Sequence, residues 1–434
     1  MQFLIYPAAV ALVLGVLVFV HEFGHYAMAK LFRVRVDVFS LGFGKRLVGF
    51  ERGGTDYRIS LLPIGGYVKM AGENPMEDRT GDPGEFMSHP RWQRFLIAIA
   101  GPVMNILLAI GILTGLYMFH HDYPASSRMP VQVVWVDPDS PAAQAGLQQG
   151  DRIVQVQDVK NPTWEQFLQT EFISPDQTLD VTAVRGDQTL HLKLLAKATG
   201  EDGIGDVGLQ PPEAVGYIEP GTPAQQAGLK LGDVLVSING KAIRGLTDLK
   251  QELQKTGNVQ STLLVMRDGK DVPLTITPKL LPGETPKMEY RIGVMVQYVE
   301  KLPFPRAFAE AYADCKDNSL LIFKLVGRML HNRKMLKQVS GPIGIMQISG
   351  EAAMIGWPPL LKIMALISLN LAVFNLFPIP ILDGGLMLML LIEAMMRRDI
   401  KQEVKERVYQ VAFVFLILFA VVVIYNDLAK SFHM

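Results

Sequence analysis

Four stretches of this chain, Met1–Val20, Phe95–Phe119, Ile363–Leu382 and Val408–Asn426, contain no charged side chain. About 20 residues at 1.5 Å rise span a hydrocarbon core. With no water there to satisfy backbone N–H and C=O groups, such segments must be helical. The pattern predicts a multi-pass α-helical membrane protein with four transmembrane helices. The first stretch lacks a basic leader and a small-residue cleavage site ahead of its polar residues, so it reads as a permanent span and not a signal peptide. Composition agrees, with 49% hydrophobic and only 19% charged residues. Lys plus Arg equals Asp plus Glu at 42 each, so no nucleic-acid partner is expected. A single cysteine, Cys315, excludes an internal disulfide framework and reads as a small packing residue.

Polar groups inside these stretches then need a reason. An ionisable side chain at bilayer depth costs about 2.5–3.5 kcal/mol on insertion scales. The first span runs into VFVHEFGHYAMAK, where His21, Glu22 and His25 form an H-E-x-x-H pattern. Residues i and i+4 share a helix face, so the two imidazoles can serve one ion, with Glu22 beside them as a general base toward water. A buried hydrogen-bond network is the bland alternative. A catalytic zinc takes three protein ligands and keeps one position open. Asp383 is the candidate third ligand, being the only carboxylate between Lys362 and Glu393. Pro378 and Pro380 break the helix ahead of it, and Gly384-Gly385 allow close backbone approach. Asn370 and Asn375 add amides to the same span. In span two, Gly101-Pro102 reads as a break, and Asn105 behind it as a structural amide.

The segment between spans two and three repeats at an offset of 82 residues. Ser140-Pro141-Ala142 matches Thr222-Pro223-Ala224, Ala145-Gly146-Leu147 matches Ala227-Gly228-Leu229, and Gly150-Asp151 matches Gly232-Asp233. The Ser or Thr suits a helix cap, Pro the first helical position, and the glycine a helix end before a strand such as Ile153–Val156. This pattern resembles circularly permuted PDZ domains of the bacterial type, over 126–212 and 213–298. The resemblance implies binding loops near Gly203–Leu209 and Arg291–Val294. It leaves two roles open: peptide ligands bound by strand addition, or a rigid size filter. Beyond the repeats, 299–358 reads as an amphipathic helical linker. Its apolar stripe over Ser319–Leu330 fits either the membrane surface or packing on the second repeat.

Ten Lys and Arg residues fall between spans one and two, from Arg33 to Arg94, and five between spans three and four, from Arg397 to Arg407. Both loops should be cytoplasmic and the repeats outside. The basic run Lys324–Lys337 runs against this, but long translocated segments obey the charge rule weakly. Within 33–94, the 36–70 stretch alternates and is glycine-rich, with a hairpin-like turn at Gly53-Gly54.

HExxH in the first span, N-x-x-P-x-P-x-L-D-G in the third (Asn375, Pro378, Pro380, Leu382, Asp383, Gly384) and the repeats between spans two and three resemble the site-2 protease family of intramembrane zinc metalloproteases. AGPVMN at 100–105 and SGPIGI at 340–345 extend the likeness across the chain. The resemblance implies Zn2+ held by His21, His25 and Asp383, Glu22 activating water, and Asn375, with Pro378 and Pro380 around it, in substrate binding. It also implies a bacterial inner-membrane protein with periplasmic PDZ domains and both termini in the periplasm. A membrane-associated β-hairpin in the 33–94 region that offers an edge to extended substrate is implied as well, the alternative being a cytoplasmic hairpin with no substrate contact. Its substrates would be single-span membrane proteins, an anti-sigma factor of an envelope-stress pathway among them, and remnant signal peptides. The expected order is span one with HExxH over 1–32, the β region over 33–94, span two over 95–119, the two PDZ domains, and the linker. Span three with the LDG motif over 359–392, a cytoplasmic loop over 393–407 and span four over 408–427 complete it. Two rival readings are a membrane PDZ scaffold with a vestigial metal site and a metal transporter. Both Glu22 and Asp383 are present, against the first; PDZ repeats and a base beside the ligands speak against the second.

Overall fold

The structure, a computed structural model, describes residues 2–73, 81–200, 203–282, 288–329 and 341–432. Leu330, Ser340 and the end of the basic run toward Lys337 lie outside the described residues. The chain forms two compact units. One is built from the N-terminal part through Met118, from Pro303–Val326 and from the C-terminal part; the other is chiefly Phe119–Leu302.

The first unit contains helices α1 (Gln2–Leu31), α2 (Arg91–Phe119), α3 (Phe304–Met329), α4 (Pro342–Ile355), α5 (Trp357–Asn375), α6 (Asp383–Met396) and α7 (Gln402–Phe432). Among the described residues four segments are long and apolar enough to cross a membrane: Ile5–Leu31, Arg91–Phe119, Trp357–Asn375 and Gln402–Tyr425. On α7 Val411, Phe413, Val414, Leu418 and Val421 are all exposed, as suits a helix whose solvent is lipid. Val13 and Leu17 of α1 pack on Met364 of α5, flanked by Leu108 and Ile112 of α2. A Cβ on Gly24 would stand 2.4 Å from the Ala100 carbonyl oxygen, so the missing side chain lets α1 and α2 touch.

Several expected boundaries shift. Gly101-Pro102 does not break span two: α2 runs through Pro102 as one helix. Proline removes one rung of the hydrogen-bond ladder, which membrane helices tolerate when neighbours satisfy the freed groups. In span three, where the sequence places a break at Pro378 and Pro380, two helices flank a non-helical Leu376–Leu382. The linker likewise holds two helices. α3 begins at Phe304, well before Ser319, burying Ala307, Ala311, Cys315 and Ile322 and exposing Phe308, Tyr312 and Phe323. Asp314 on it accepts a 2.5 Å hydrogen bond from the Tyr117 hydroxyl of α2. α4 is apolar and lies hard against α1, where a Cβ on Gly350 would stand 2.2 Å from the Tyr6 ring. In the basic 397–407 loop, Lys405 is not solvated: its ammonium pairs with buried Glu393 at 2.6 Å.

Strands β1 (Val36–Arg52) and β2 (Thr55–Met70) join at Gly53-Gly54, both at positive φ, as a two-residue hairpin requires. Val38–Leu41 pair on one side with Asp56–Ile59 and on the other with Gly66–Lys69. The end of β2 is therefore a sheet edge, with no strand on its outer side among the described residues. Lys30 donates to Thr55 Oγ1 at 2.9 Å, and Thr55 donates to the Val36 carbonyl at 2.7 Å, anchoring the turn end to α1. Leu47, Val48, Phe50 and Leu61 are exposed.

In the second unit, each repeat folds as a short helix, a sheet and a longer helix. The first has a five-stranded sheet and helices Pro141–Gln144 and Trp164–Phe172. The second has a four-stranded sheet and helices Pro223–Gln226 and Leu246–Thr256. Ser140 caps as expected, accepting from the Ala143 N–H at 3.1 Å. Thr222 does not cap, because its hydroxyl donates instead to the Glu219 carbonyl at 2.5 Å. The buried Asp of each Gly-Asp pair is clamped identically. Asp151 accepts from Arg185 at 2.7 Å and from the Gln148 N–H at 2.9 Å. Asp233 accepts from Arg267 at 2.7 and 2.6 Å and from the Lys230 N–H at 2.8 Å. Gln297–Glu300 pair antiparallel with His121–Pro124, so the strand leaving the unit runs beside the strand entering it.

Candidate metal centre

Helical spacing on α1 sets His21 and His25 one turn apart, with their Nε2 atoms separated by 3.2 Å. Asp383 opens α6 and brings Oδ2 to 3.2 Å from His21 Nε2 and Oδ1 to 3.5 Å from His25 Nε2. The chain reaches this point because α5 stops at Asn375 and the following backbone folds over the start of α6. A Cβ on Gly384 would stand 2.4 Å from the Leu376 and Phe377 carbonyl oxygens, and one on Gly385 2.2 Å from that of Ile379. Only glycine admits those carbonyls. A carboxylate in the first turn of a helix is also favoured by the free N–H groups there.

These residues fit a zinc ion. Bonds of about 2.0–2.1 Å in tetrahedral geometry hold donor atoms about 3.3–3.4 Å apart, close to the 3.2 Å between the two Nε2 atoms and to the 3.2 and 3.5 Å at which each meets one of the two Asp383 carboxylate oxygens. Both histidines are buried, and buried Asp383 Oδ2 has no hydrogen-bond donor among the described residues. An anionic oxygen in that position calls for a cation. Space is kept open by Gly101 of α2: a Cβ there would stand 2.3 Å from His25 Nε2 and 2.8 Å from His21 Cε1. His25 Nδ1 lies 2.8 Å from the Ile97 carbonyl oxygen. That acceptor requires the proton on Nδ1 and leaves the Nε2 lone pair for a ligand bond.

The same cavity, about 340 Å³, is lined by Glu22, Asn375, Leu382 and the β2 edge Gly65–Val68 with Met70. The Val68 backbone of that edge lies beside Glu22, its N–H toward the carboxylate. Asn375 Nδ2 lies 3.5 Å from His21 Nε2, at the limit of hydrogen bonding. The structure thus gathers His21, Glu22, His25, Asp383 and Asn375 around one space. Pro378 and Pro380 do not line it; they shape the connection ahead of Asp383. Reading the sequence alone misses the Ile97 carbonyl, the clearance at Gly101 and the Val68 N–H, which are backbone features. It also assigns Asn105 to structure only, whereas its amide lies 3.3 Å from His21 Nδ1. The AGPVMN motif was the available signal for two of these.

Residues 9–419 match the family described as Peptidase family M50. The Regulator of sigma-E protease RseP of Salmonella typhimurium is 30% identical, over 98% of this chain and 98% of its own. The Escherichia coli protein of that name is 29% identical, again over 98% of each chain. A Vibrio cholerae protein whose name contains the words zinc metalloprotease is 32% identical, over 97% of this chain and 98% of its own. With HExxH and an aspartate converging on one cavity among membrane-type helices, and with this coverage, the chain belongs to peptidase family M50, the site-2 protease family of zinc-dependent intramembrane metalloproteases.

Proposed function

We propose that His21, His25 and Asp383 hold the zinc ion and that Glu22 is the general base of an endopeptidase acting on single-span membrane proteins. The observation that carries this reading is the convergence of two imidazole Nε2 atoms and the Asp383 carboxylate, at contacts of 3.2–3.5 Å, beside one further carboxylate and one open strand edge. A bound zinc supplies Lewis acidity toward the scissile carbonyl and toward water. Glu22 takes a proton from the attacking water and returns one to the leaving amine nitrogen. The Val68 N–H steadies the Glu22 carboxylate, and the Asn375 amide orients the substrate backbone. A transmembrane helix hides its peptide bonds, so the substrate unwinds and pairs with the Gly66–Met70 edge as an added strand.

The names of the Salmonella and Escherichia relatives refer to sigma-E, which supports an anti-sigma factor of an envelope-stress pathway as one substrate. Remnant signal peptides are a second class. In this reading the protein lies in the inner membrane, the basic loops are cytoplasmic, and both termini and the repeats are periplasmic. The repeats are PDZ domains over 126–212 and 213–298 that screen substrates by the size of what remains outside the membrane. Support comes from their matching loops. Gly208 at φ +80° packs on Ser140, and Gly293 at φ +81° packs on Thr222, the same contact twice.

The test is cleavage of a single-span reporter by detergent-solubilised protein. Glu22→Gln should lose about 10²–10⁴-fold in rate while keeping its zinc. Equal cleavage by the two proteins would overturn the assignment.

A further inference from the structure

Asn105 closes the AGPVMN stretch, and hydrolysis as described gives it no task. Its side chain is fully buried, at 0% exposure, and its backbone carbonyl accepts a 2.9 Å hydrogen bond from Ser368 of α5. Its amide faces His21 Nδ1 at 3.3 Å, and Oδ1, turned the other way, meets no donor among the described residues. Nε2 of His21 points at His25 and Asp383, so Nε2 is the ligand atom. A neutral imidazole that gives its Nε2 lone pair to a metal carries its proton on Nδ1, and a buried N–H needs an acceptor. Amide nitrogen and oxygen exchange places by a half turn of the side chain. The half turn gives His21 an acceptor and removes the carbonyl oxygen from a place where nothing donates to it.

We propose that Asn105 is the positioning residue of the metal site: its Oδ1 accepts the Nδ1–H of His21 and fixes that ring's tautomer and plane. This rests on the metal-site reading above. Ile97 does the same for His25 through its backbone carbonyl. Ile97, Gly101 and Asn105 fall at i, i+4 and i+8 on one face of α2, an acceptor, a clearance and an acceptor. Span two contributes no metal ligand, yet it orients both histidine ligands.

The experiment measures zinc affinity of the purified full chain in detergent by competition with a chromophoric chelator. His21→Ala is the control for the site itself: wild-type protein without tight zinc, or His21→Ala retaining it, would overturn the metal-site reading and this one with it. With that control in place, Asn105→Leu, of similar volume but with no acceptor, should bind zinc about 10–100-fold more weakly. Asn105→Asp, which keeps an acceptor, should stay within a few-fold of wild type. Leucine binding as tightly as wild type, or aspartate losing as much as leucine, would overturn the role of Asn105 alone. A second measurement does not depend on how the variants fold. Zinc-loaded wild-type chain with 15N-labelled histidine should show a slowly exchanging proton on Nδ1 of His21. A missing or freely exchanging proton there would also overturn it.

Discussion

Placing a single methyl group at position 101 tests how tightly the metal site is built. In Gly101→Ala the new Cβ would stand 2.3 Å from His25 Nε2, 2.7 Å from its Cε1 and 2.8 Å from His21 Cε1. Ordinary contact begins near 3.5 Å, so a ring must retreat by about 1 Å. His25 cannot swing aside freely, because its Nδ1 is held 2.8 Å from the Ile97 carbonyl oxygen. A retreat of that size is about half the length of a zinc–nitrogen bond. Overpacking of this kind costs about 1–3 kcal/mol, which as lost ligand binding is about 5–150-fold in zinc affinity. A 1 Å misplacement of reacting groups costs about 10²-fold in rate. Zinc per chain after dialysis and cleavage of a single-span reporter measure both effects. Gly111→Ala is the control on the same helix, since a Cβ there meets nothing within 4 Å, and it should behave as wild type. A Gly101→Ala protein that keeps one zinc per chain and cleaves at the wild-type rate would show that this clearance plays no part in zinc binding.

Two further perturbations concern the repeats. Burial, with Asp206 nearby, pushes the Glu171 carboxyl up to about 8 from its ordinary 4.5. The raised value means that the protonated form stabilises the fold below about pH 4.5, and that this contribution is lost as pH rises toward 8; the limit is about 5 kcal/mol. Melting of the full chain should therefore fall more steeply between pH 5 and 8 in wild type than in Glu171→Gln, and parallel curves would count against it. Asp151→Ala and Asp233→Ala each remove an acceptor of an Arg fork and a backbone N–H, so each should destabilise its repeat by about 2–3 kcal/mol in denaturant titrations. Markedly unequal losses would contradict the equivalence of the two clamps.

The clustering of His21, His25 and Asp383 was legible because it depends on rules with few exceptions. Imidazoles at i and i+4 must share a face, and a lone carboxylate in a greasy segment must find a partner. The apolar spans and the repeat were legible for the same reason, since length and period survive any tertiary context. What stayed hidden depends on backbone groups brought together across helices. Pro102 looks like a stop in a string of letters, but α2 continues through it, and one turn earlier the Ile97 carbonyl meets His25. The start of α3 at Phe304 was masked by its polar first half, whose buried side consists of Ala307, Ala311 and Cys315, small residues that give a weak apolar signal. Arg185 and Arg267 stand 34 residues after their aspartates in both repeats, a coincidence visible in the letters but without meaning until two strands are laid side by side.

The pairing of Gln297–Glu300 with His121–Pro124 has a further consequence. Neighbouring strands lie about 4.8 Å apart, so the chain leaves the repeat unit almost where it enered it. Everything between behaves as a loop whose ends are already pinned, and doubling the length of a loop costs only about 0.6 kcal/mol in closure entropy. Copying one 82-residue module into two therefore asks little of the chain on either side. Such an insert can be exchanged, lengthened or duplicated while the spacing between its two ends stays the same.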